Sequence, residues 1–208
     1  MADLAALKDA IIEGQQGRAV ALTREAVARG LSAEVILHDG LIAGMNVIGT
    51  RFRNNEIYIP EVLVAARAMK MAMEVLNPKL GAVKGMPAGR VLLGTVQGDL
   101  HDIGRKLVGM MLNGAGFEVI DLGVDVSAEM FVEQTKKTGA QKVGMSALMT
   151  TTMPAMDKVV KALKSSGCKV KTKVGGAPVT KAYAERIGAD GYGADAAAAV
   201  DIAKSLLS

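Results

Sequence analysis

Tryptophan is absent from this 208-residue chain, and aromatic residues make up only 3% of it. Base-stacking platforms need aromatic side chains, so nucleic acid is not an expected partner. Cys168 is the single cysteine, which rules out an internal disulfide, and with only two histidines the chain cannot assemble a Cys/His zinc site. A reducing, cytoplasmic setting is the simplest expectation. The net charge is only +4, and Lys and Arg are scattered along the chain, so neither a nucleic-acid duplex nor an anionic membrane surface is implied. No apolar run approaches the length of a membrane span, and the first residues carry Asp3, Lys8, Asp9 and Glu13 where a signal peptide would be apolar. What is plentiful is small and flexible apolar material: half the chain is hydrophobic, with 24 Gly and 13 Met. That composition suits closely packed helices and a full core.

The spacing of apolar residues divides the chain. Leu4, Leu7, Ile11 and Ile12 recur at helical intervals. Further helices are predicted over 20–29 and over 33–50, the latter behind Ser32 as N-cap, and a fourth from Pro60. The stripe Val62, Ala65, Ala66, Met69, Met73 and Leu76 marks the buried side of that fourth helix, and Asn77-Pro78 should end it. Residues 1–76 therefore read as a small four-helix bundle. Residues 77–89, with two prolines, three glycines and no periodicity, read as a linker. From residue 90 short apolar runs at 91–96, 117–122, 142–146, 169–174 and 188–192 alternate with helical stretches at 102–115, 128–138, 154–165, 179–187 and 194–207. Alternation of this kind implies α/β architecture, a five-stranded parallel sheet of flavodoxin-like (Rossmann-like) order covered by helices on both faces. Residues 90–208 form this second domain. In such sheets ligands bind outside the carboxyl ends of the strands.

Three strand-end loops stand out. After the first strand come Gly98, Asp99, His101, Asp102, Ile103 and Gly104. An Asp two residues before a His can hold one ring nitrogen and leave the other for a metal. Equally, His101 can be an ordinary loop histidine, with Asp99 or Asp102 capping the next helix. After the third strand Ser146, Leu148, Thr150 and Thr152 offer hydroxyls to a polar ligand, or Thr151 or Thr152 serves only as an N-cap. After the fourth strand Gly175-Gly176 either bares backbone to a ligand or makes a tight turn. Tyr192 and Gly193 follow the fifth strand. His38 reads as a surface or packing residue of the bundle, and Cys168 as an inert buried thiol.

The ordered set Asp99-x-His101-x-x-Gly104, Ser146-x-Leu148 and Gly175-Gly176 resembles the signature of the cobalamin-binding domains of methionine synthase, of cobalamin-dependent mutases and of methyltransferase corrinoid proteins. The helical half, with Phe52 and Tyr58-Ile59-Pro60, is similar to the methionine synthase cap, which mutases lack, so the resemblance points to a methyltransferase corrinoid protein. It implies a cobalamin (corrinoid) cofactor with His101 as lower ligand to cobalt, Asp99 bonded to His101, and Thr152 in place of a serine in the same relay. Gly98, Asp102, Ile103 and Gly104 would lie against the cofactor. Ser146, Leu148, Thr150, Gly175 and Gly176 would line its nucleotide tail, with Tyr192 and Gly193 near the far end. Phe52 and Ile59 would shield the upper face.

The same resemblance implies a methyl carrier that alternates between cob(I)alamin and methylcobalamin and is inert alone. Its expected partners are a substrate-specific corrinoid methyltransferase, an acceptor methyltransferase acting on tetrahydrofolate or coenzyme M, and a reductive activator protein. The alternative within reach is a cobalamin-dependent regulator or light sensor, which would carry a DNA-binding module that this sequence does not show. A phosphoacceptor receiver would need Asp where Ser146 stands and Lys where Tyr192 stands. No Gly-Lys-Ser/Thr follows Gly94–Gly98, so a P-loop is excluded.

Overall fold

A computed structural model describes residues 3–80 and 89–205, which fall into two compact units, one helical and one built on a sheet. The helical unit begins with α1 (Leu4–Ile12), whose first turn is capped by the Asp3 carboxylate accepting from the Ala6 N–H at 2.8 Å. Helix α2 (Gln16–Ala28) follows, starting four residues earlier than the apolar spacing suggested because Gln16–Ala19 already turn into the bundle. Ser32 caps α3 (Ala33–Val35) by accepting from the Val35 N–H. The rod then runs on through a π-helical segment, Ile36–Ile42, into α4 (Ala43–Arg53). Gly40 and Gly44 lie on this rod where a β-carbon would come 2.7 Å from Leu7 and from Ile11 respectively, so α1 packs almost directly on its backbone.

Helix α5 (Ile59–Leu80) buries the stripe read from the sequence: Val62, Ala65, Ala66, Met69 and Leu76 are all buried and Met73 is half-buried. Each large apolar side chain placed in this way contributes about 1.5–3 kcal/mol. The expected stop at Asn77-Pro78 does not occur, and Pro78 lies inside the helix. So near the C-terminus the missing Pro78 N–H removes only one late hydrogen bond. The rest of the expected linker, 81–88, lies outside the described residues.

The second unit is a parallel sheet of β1 (Arg90–Thr95), β2 (Glu118–Asp121), β3 (Lys142–Ser146), β4 (Lys171–Gly175) and β5 (Gly191–Gly193) in the order β2-β1-β3-β4-β5, the flavodoxin-like order. Strand β4 starts two residues later than expected, where Lys171 comes into register with Lys142; Lys169 and Val170 precede any partner. The crossovers are α6 (Ile103–Gly114), α7 (Ala128–Thr138), α8 (Met153–Ser165) and α9 (Lys181–Arg186), and α10 (Ala196–Ser205) follows β5. One face of the sheet, carrying Leu92, Val96, Val143, Met145 and Val174, packs on Phe131 of α7, on Met156, Val159, Val160 and Leu163 of α8, and on Tyr183 and Ile187 of α9. The other face lies under α6 and α10: Gly109 approaches Leu93, and Ala199 approaches Gly193.

Because β1 leads to α6 on one face and β3 to α8 on the other, the carboxyl ends of β1 and β3 flank the switch point of the topology. A row in register crosses those ends: Thr95, Ser146, Gly175 and Gly193. Every member is small. Cys168 is half-buried rather than buried, because it sits in the turn before β4, where its sulfur accepts from the Ser166 hydroxyl at 3.0 Å.

Candidate functional site

The loop leaving β1 is built around one carboxylate. Asp99 has no exposed surface, and its two oxygens accept four hydrogen bonds. Oδ1 takes the His101 backbone N–H at 3.0 Å and stands 2.8 Å from His101 Nδ1; Oδ2 takes the Leu148 N–H at 2.7 Å and the Thr152 hydroxyl at 2.8 Å. Burial alone would raise the pKa of this carboxyl. The four bonds, with that from Leu148 the strongest, outweigh burial and hold it well below the usual carboxylate range. An ionised carboxylate only accepts, so Nδ1 of His101 carries the hydrogen and Nε2 keeps its lone pair. The ring is half exposed, with a side-chain exposure of 52%, so Nε2 is available to a ligand.

A second set of bonds fixes the His101 main chain. The Thr95 hydroxyl donates to the His101 carbonyl at 2.9 Å, stands 3.0 Å from the Ser146 hydroxyl and accepts from Arg105 Nε at 3.1 Å. Arg105, buried on α6, also pairs with Asp121 at the end of β2. From the loop after β2, Asp125 accepts from the Gly98 N–H at 2.7 Å and donates its own N–H to the Asp99 carbonyl at 3.0 Å. It does so in the left-handed region, at φ 55°, which Asp adopts more readily than most residues.

The expected residues separate on this framework. Asp99, His101, Leu148 and Thr152 come together directly. Thr152 stands at the N-cap of α8 yet makes no cap bond, its hydroxyl lying between Asp99 Oδ2 and the Met149 carbonyl. Asp102 precedes α6 and pairs with Lys106 instead of reaching toward His101. Gly98 is exposed on the loop and Gly104 in the first turn of α6, and Thr150 is exposed beyond Leu148. Gly175 and Gly176 are constrained by other strand ends: a β-carbon on Gly176, at φ 129°, would lie 1.9 Å from the Ala147 carbonyl oxygen, and one on Gly175 would lie 2.9 Å from that of Gly193. Both positions are held to glycine by these contacts. Tyr192 packs against the core under α7, α8 and α9, on the face opposite Gly193. Phe52, half-buried at the end of α4, and Ile59, exposed at the start of α5, belong to the helical unit.

Leu100 and Met149 carried no recognisable signal in the sequence. Leu100 and Ile103 are 72% and 75% exposed on either side of His101, and Leu148 and Met149 are also exposed. Large apolar side chains held out around one imidazole make a surface suited to a broad, largely apolar ligand. Among the described residues no group of three or more His, Cys, Asp or Glu could hold a bare ion. A metal that brings most of its ligands in a macrocycle would need only one imidazole from the protein, and His101 has its Nε2 free for such a group. The residues present thus fit a corrin.

Comparison with known proteins agrees with this chemistry. A B12 binding domain model matches residues 89–201, and a second B12 binding domain model matches residues 4–77. The chain is 39% identical over 206 residues to a corrinoid protein of Desulfitobacterium hafniense, covering 97% of this chain and 95% of that one. It is 43% identical over 208 residues to trimethylamine corrinoid protein 2 of Methanosarcina acetivorans, covering 98% and 96%. Among solved structures, a cobalamin-binding protein of Desulfitobacterium hafniense superposes with a TM-score of 0.81 at 31% identity, covering 98% of both chains. The methanol:cobalamin methyltransferase complex of Methanosarcina barkeri superposes with a TM-score of 0.88 at 31% identity, covering 98% of this chain and 79% of that one. With both halves matched by B12-binding models and corrinoid proteins aligned along nearly its whole length, the chain belongs to the corrinoid protein family and binds a cobalamin-type cofactor.

Proposed function

We propose that the protein carries methyl groups on its corrinoid between two partner enzymes, and that His101 Nε2 is the detachable lower ligand of the cobalt. The observation that carries this reading is the fourfold-bonded Asp99, which fixes His101 in the tautomer with Nε2 free. When bound, the corrinoid supplies the cobalt chemistry of methyl uptake and release. The chain's own residues do the rest. While Nε2 is a ligand, the ring stays neutral with its hydrogen on Nδ1. When Nε2 is free, the Nδ1–Asp99 contact still holds the ring in place. Leu100, Ile103, Leu148 and Met149 exclude water from the lower side. The small row Thr95, Ser146, Gly175 and Gly193 leaves room at the strand ends for the nucleotide tail.

Once these residues are assigned, the sequence offers no further acid, base or nucleophile set for a substrate of its own, so the methyl donor is selected by a partner. The relatives named for trimethylamine and dimethylamine, and the complex named for methanol, make small methylated compounds the donor class. The donor-side partner is then a corrinoid methyltransferase for such a compound. The acceptor side is a methyltransferase working on tetrahydrofolate or coenzyme M, and a reductive activator restores the protein after adventitious oxidation. In the helical unit, Phe52 and Ile59 serve to shield the methyl-bearing face.

Reconstitution with hydroxocobalamin tests the ligand assignment. The wild-type absorption spectrum should show imidazole ligation that His101→Ala loses, and an identical spectrum in the variant would remove His101 from this role. The purified holoprotein should transfer no methyl group from a methylamine without a partner methyltransferase; turnover by the holoprotein alone would overturn the carrier reading.

A further inference from the structure

His101 lies in an irregular stretch, residues 99–102, between the end of β1 and the start of α6, so no strand or helix ladder holds its backbone. Packing does little more, because Leu100 and Ile103 on either side stand out in solvent. Hydrogen bonds must hold it. The ring and the backbone N–H are both tied to Asp99. The carbonyl is tied elsewhere, to the Thr95 hydroxyl at 2.9 Å.

Thr95 has no exposed surface, and its hydroxyl is bonded in turn. A guanidinium only donates, so Arg105 Nε, 3.1 Å away, gives its hydrogen to Thr95 Oγ1 and leaves that hydroxyl free to donate onward. The Ser146 hydroxyl is the remaining neighbour at 3.0 Å. A hydroxyl that accepts from a cation is the stronger donor for it. Arg105 itself is enclosed, with a side-chain exposure of 4%, and its Nη1 pairs with Asp121, a carboxylate that is 44% exposed at the end of β2. Asp121 Oδ1 also accepts from the Gly123 N–H at 2.9 Å. One planar fork thus reaches two strand ends, with an N–H on each. A lysine would bring the charge but not that fixed pair of directions.

We infer that Arg105 is a positioning residue for cobalt ligation, acting on His101 through the Thr95 hydroxyl. The inference rests on His101 being the lower ligand and adds a second support for it, separate from the Asp99 carboxylate. Asp99 sets which ring nitrogen is free. Arg105 and Thr95 set where the residue stands. The rival role for Arg105 is a plain staple between α6 and β2, which its pair with Asp121 would serve without Thr95.

Full-length protein reconstituted with cobalamin and reduced to the Co(II) state separates the two roles. An axial nitrogen splits the electron paramagnetic resonance lines of Co(II) into triplets, and labelling the protein with 15N-histidine turns them into doublets, which tells His101 from the cofactor's own base. The ratio of ligated to unligated His101 is read at a pH where wild type shows both forms. It should fall about ten-fold in Thr95→Val and in Arg105→Met, the value of one hydrogen bond, and hold at the wild-type value in Thr95→Ser. Arg105→Lys keeps a cation for Asp121 and should still lower the ratio. The double variant Thr95→Val with Arg105→Met should be no lower than Thr95→Val alone. Additive losses overturn the proposal, because the arginine would then act by another route. An unchanged ratio in Arg105→Met, whatever happens to its stability in urea, overturns it in favour of the staple. If Arg105→Met does not fold, Arg105→Lys replaces it in the same cycle and decides by the same ratio. Absence of doublets from labelled wild-type protein would instead overturn the ligand reading itself.

Discussion

The sheet unit holds two buried charges that are treated in opposite ways. Asp99, at the carboxyl edge, accepts bonds from four donors supplied by the chain. Lys173, deeper under α6 and α10, has no partner at all among the described residues. A group satisfied from within is finished before any ligand arrives, and it presents His101 ready to bind. A group left unsatisfied is a cost that the fold carries. The edge of the site is preorganised, and the amine beneath it is not.

Substitutions can break this contrast. Removal of the satisfied charge should have the largest effect: Asp99→Ala leaves the Leu148 and His101 N–H groups without their acceptor and should destabilise the apo protein by about 3 kcal/mol. The variant should also lose the acid limb of the stability profile. Asp99 has a folded pKa depressed below its unfolded value, so its contribution is complete above the ordinary carboxylate range and disappears as the pH falls through the folded value. Urea unfolding of the full chain between pH 3 and pH 7 measures both effects.

Removal of the unsatisfied charge should work in the opposite direction. Lys173→Met should stabilise the apo protein at pH 6 by roughly 1–4 kcal/mol. With its folded pKa lowered from the ordinary lysine range to about 7, Lys173 binds fewer protons in the folded state than in the unfolded state across that interval. Wild-type stability should therefore rise as the pH increases from about 7 toward 10, and Lys173→Met should flatten the rise, as thermal unfolding at stepped pH would reveal.

Smaller changes refine the Asp99 side. Thr152→Val removes one of the four donors while keeping the shape and should cost about 2 kcal/mol. It should also weaken imidazole ligation in the reconstituted protein, read from the pH at which the His101-ligated spectrum is lost. Thr152→Ser keeps the hydroxyl and should cost under about 1 kcal/mol, the value of one methyl group, with the ligation spectrum unchanged.

Much of this was legible in the sequence wherever the signal was local. The α5 stripe, the Ser32 cap, the alternation that gives a parallel sheet, and the pairing of Asp99 with His101 all involve residues close together in the chain. The resemblance of the three loops to cobalamin-binding domains supplied the cofactor. What escaped depends on register. Thr95, Arg105, Asp121 and Asp125 join the site only because β1, β2 and β3 are adjacent, and no spacing announces that. No spacing places the Ser146 hydroxyl 3.0 Å from that of Thr95, nor the Ala147 carbonyl against Gly176. The π-helical segment 36–42 keeps an unbroken apolar pattern, and Gly40 within it serves close packing on Leu7 rather than a turn, while Pro78 was overruled because so few helical bonds remained beyond it. Lys173 did carry a signal: in a strand with neighbours on both sides and helices over both faces, Lys171, Lys173 and Gly175 share one side, and a lysine in that place is out of character.

The Thr152 hydroxyl has one hydrogen and two acceptors within reach, Asp99 Oδ2 at 2.8 Å and the Met149 carbonyl at 2.9 Å. Turning about a single C–O bond moves that hydrogen from the carboxylate to the carbonyl with every heavy atom in place. The protein can therefore loosen or restore one of the bonds on the Asp99 carboxylate by a motion smaller than any loop opening and fast compared with partner exchange. A rotor of this size lets a rigid edge change how its buried carboxylate is held while His101 keeps its place.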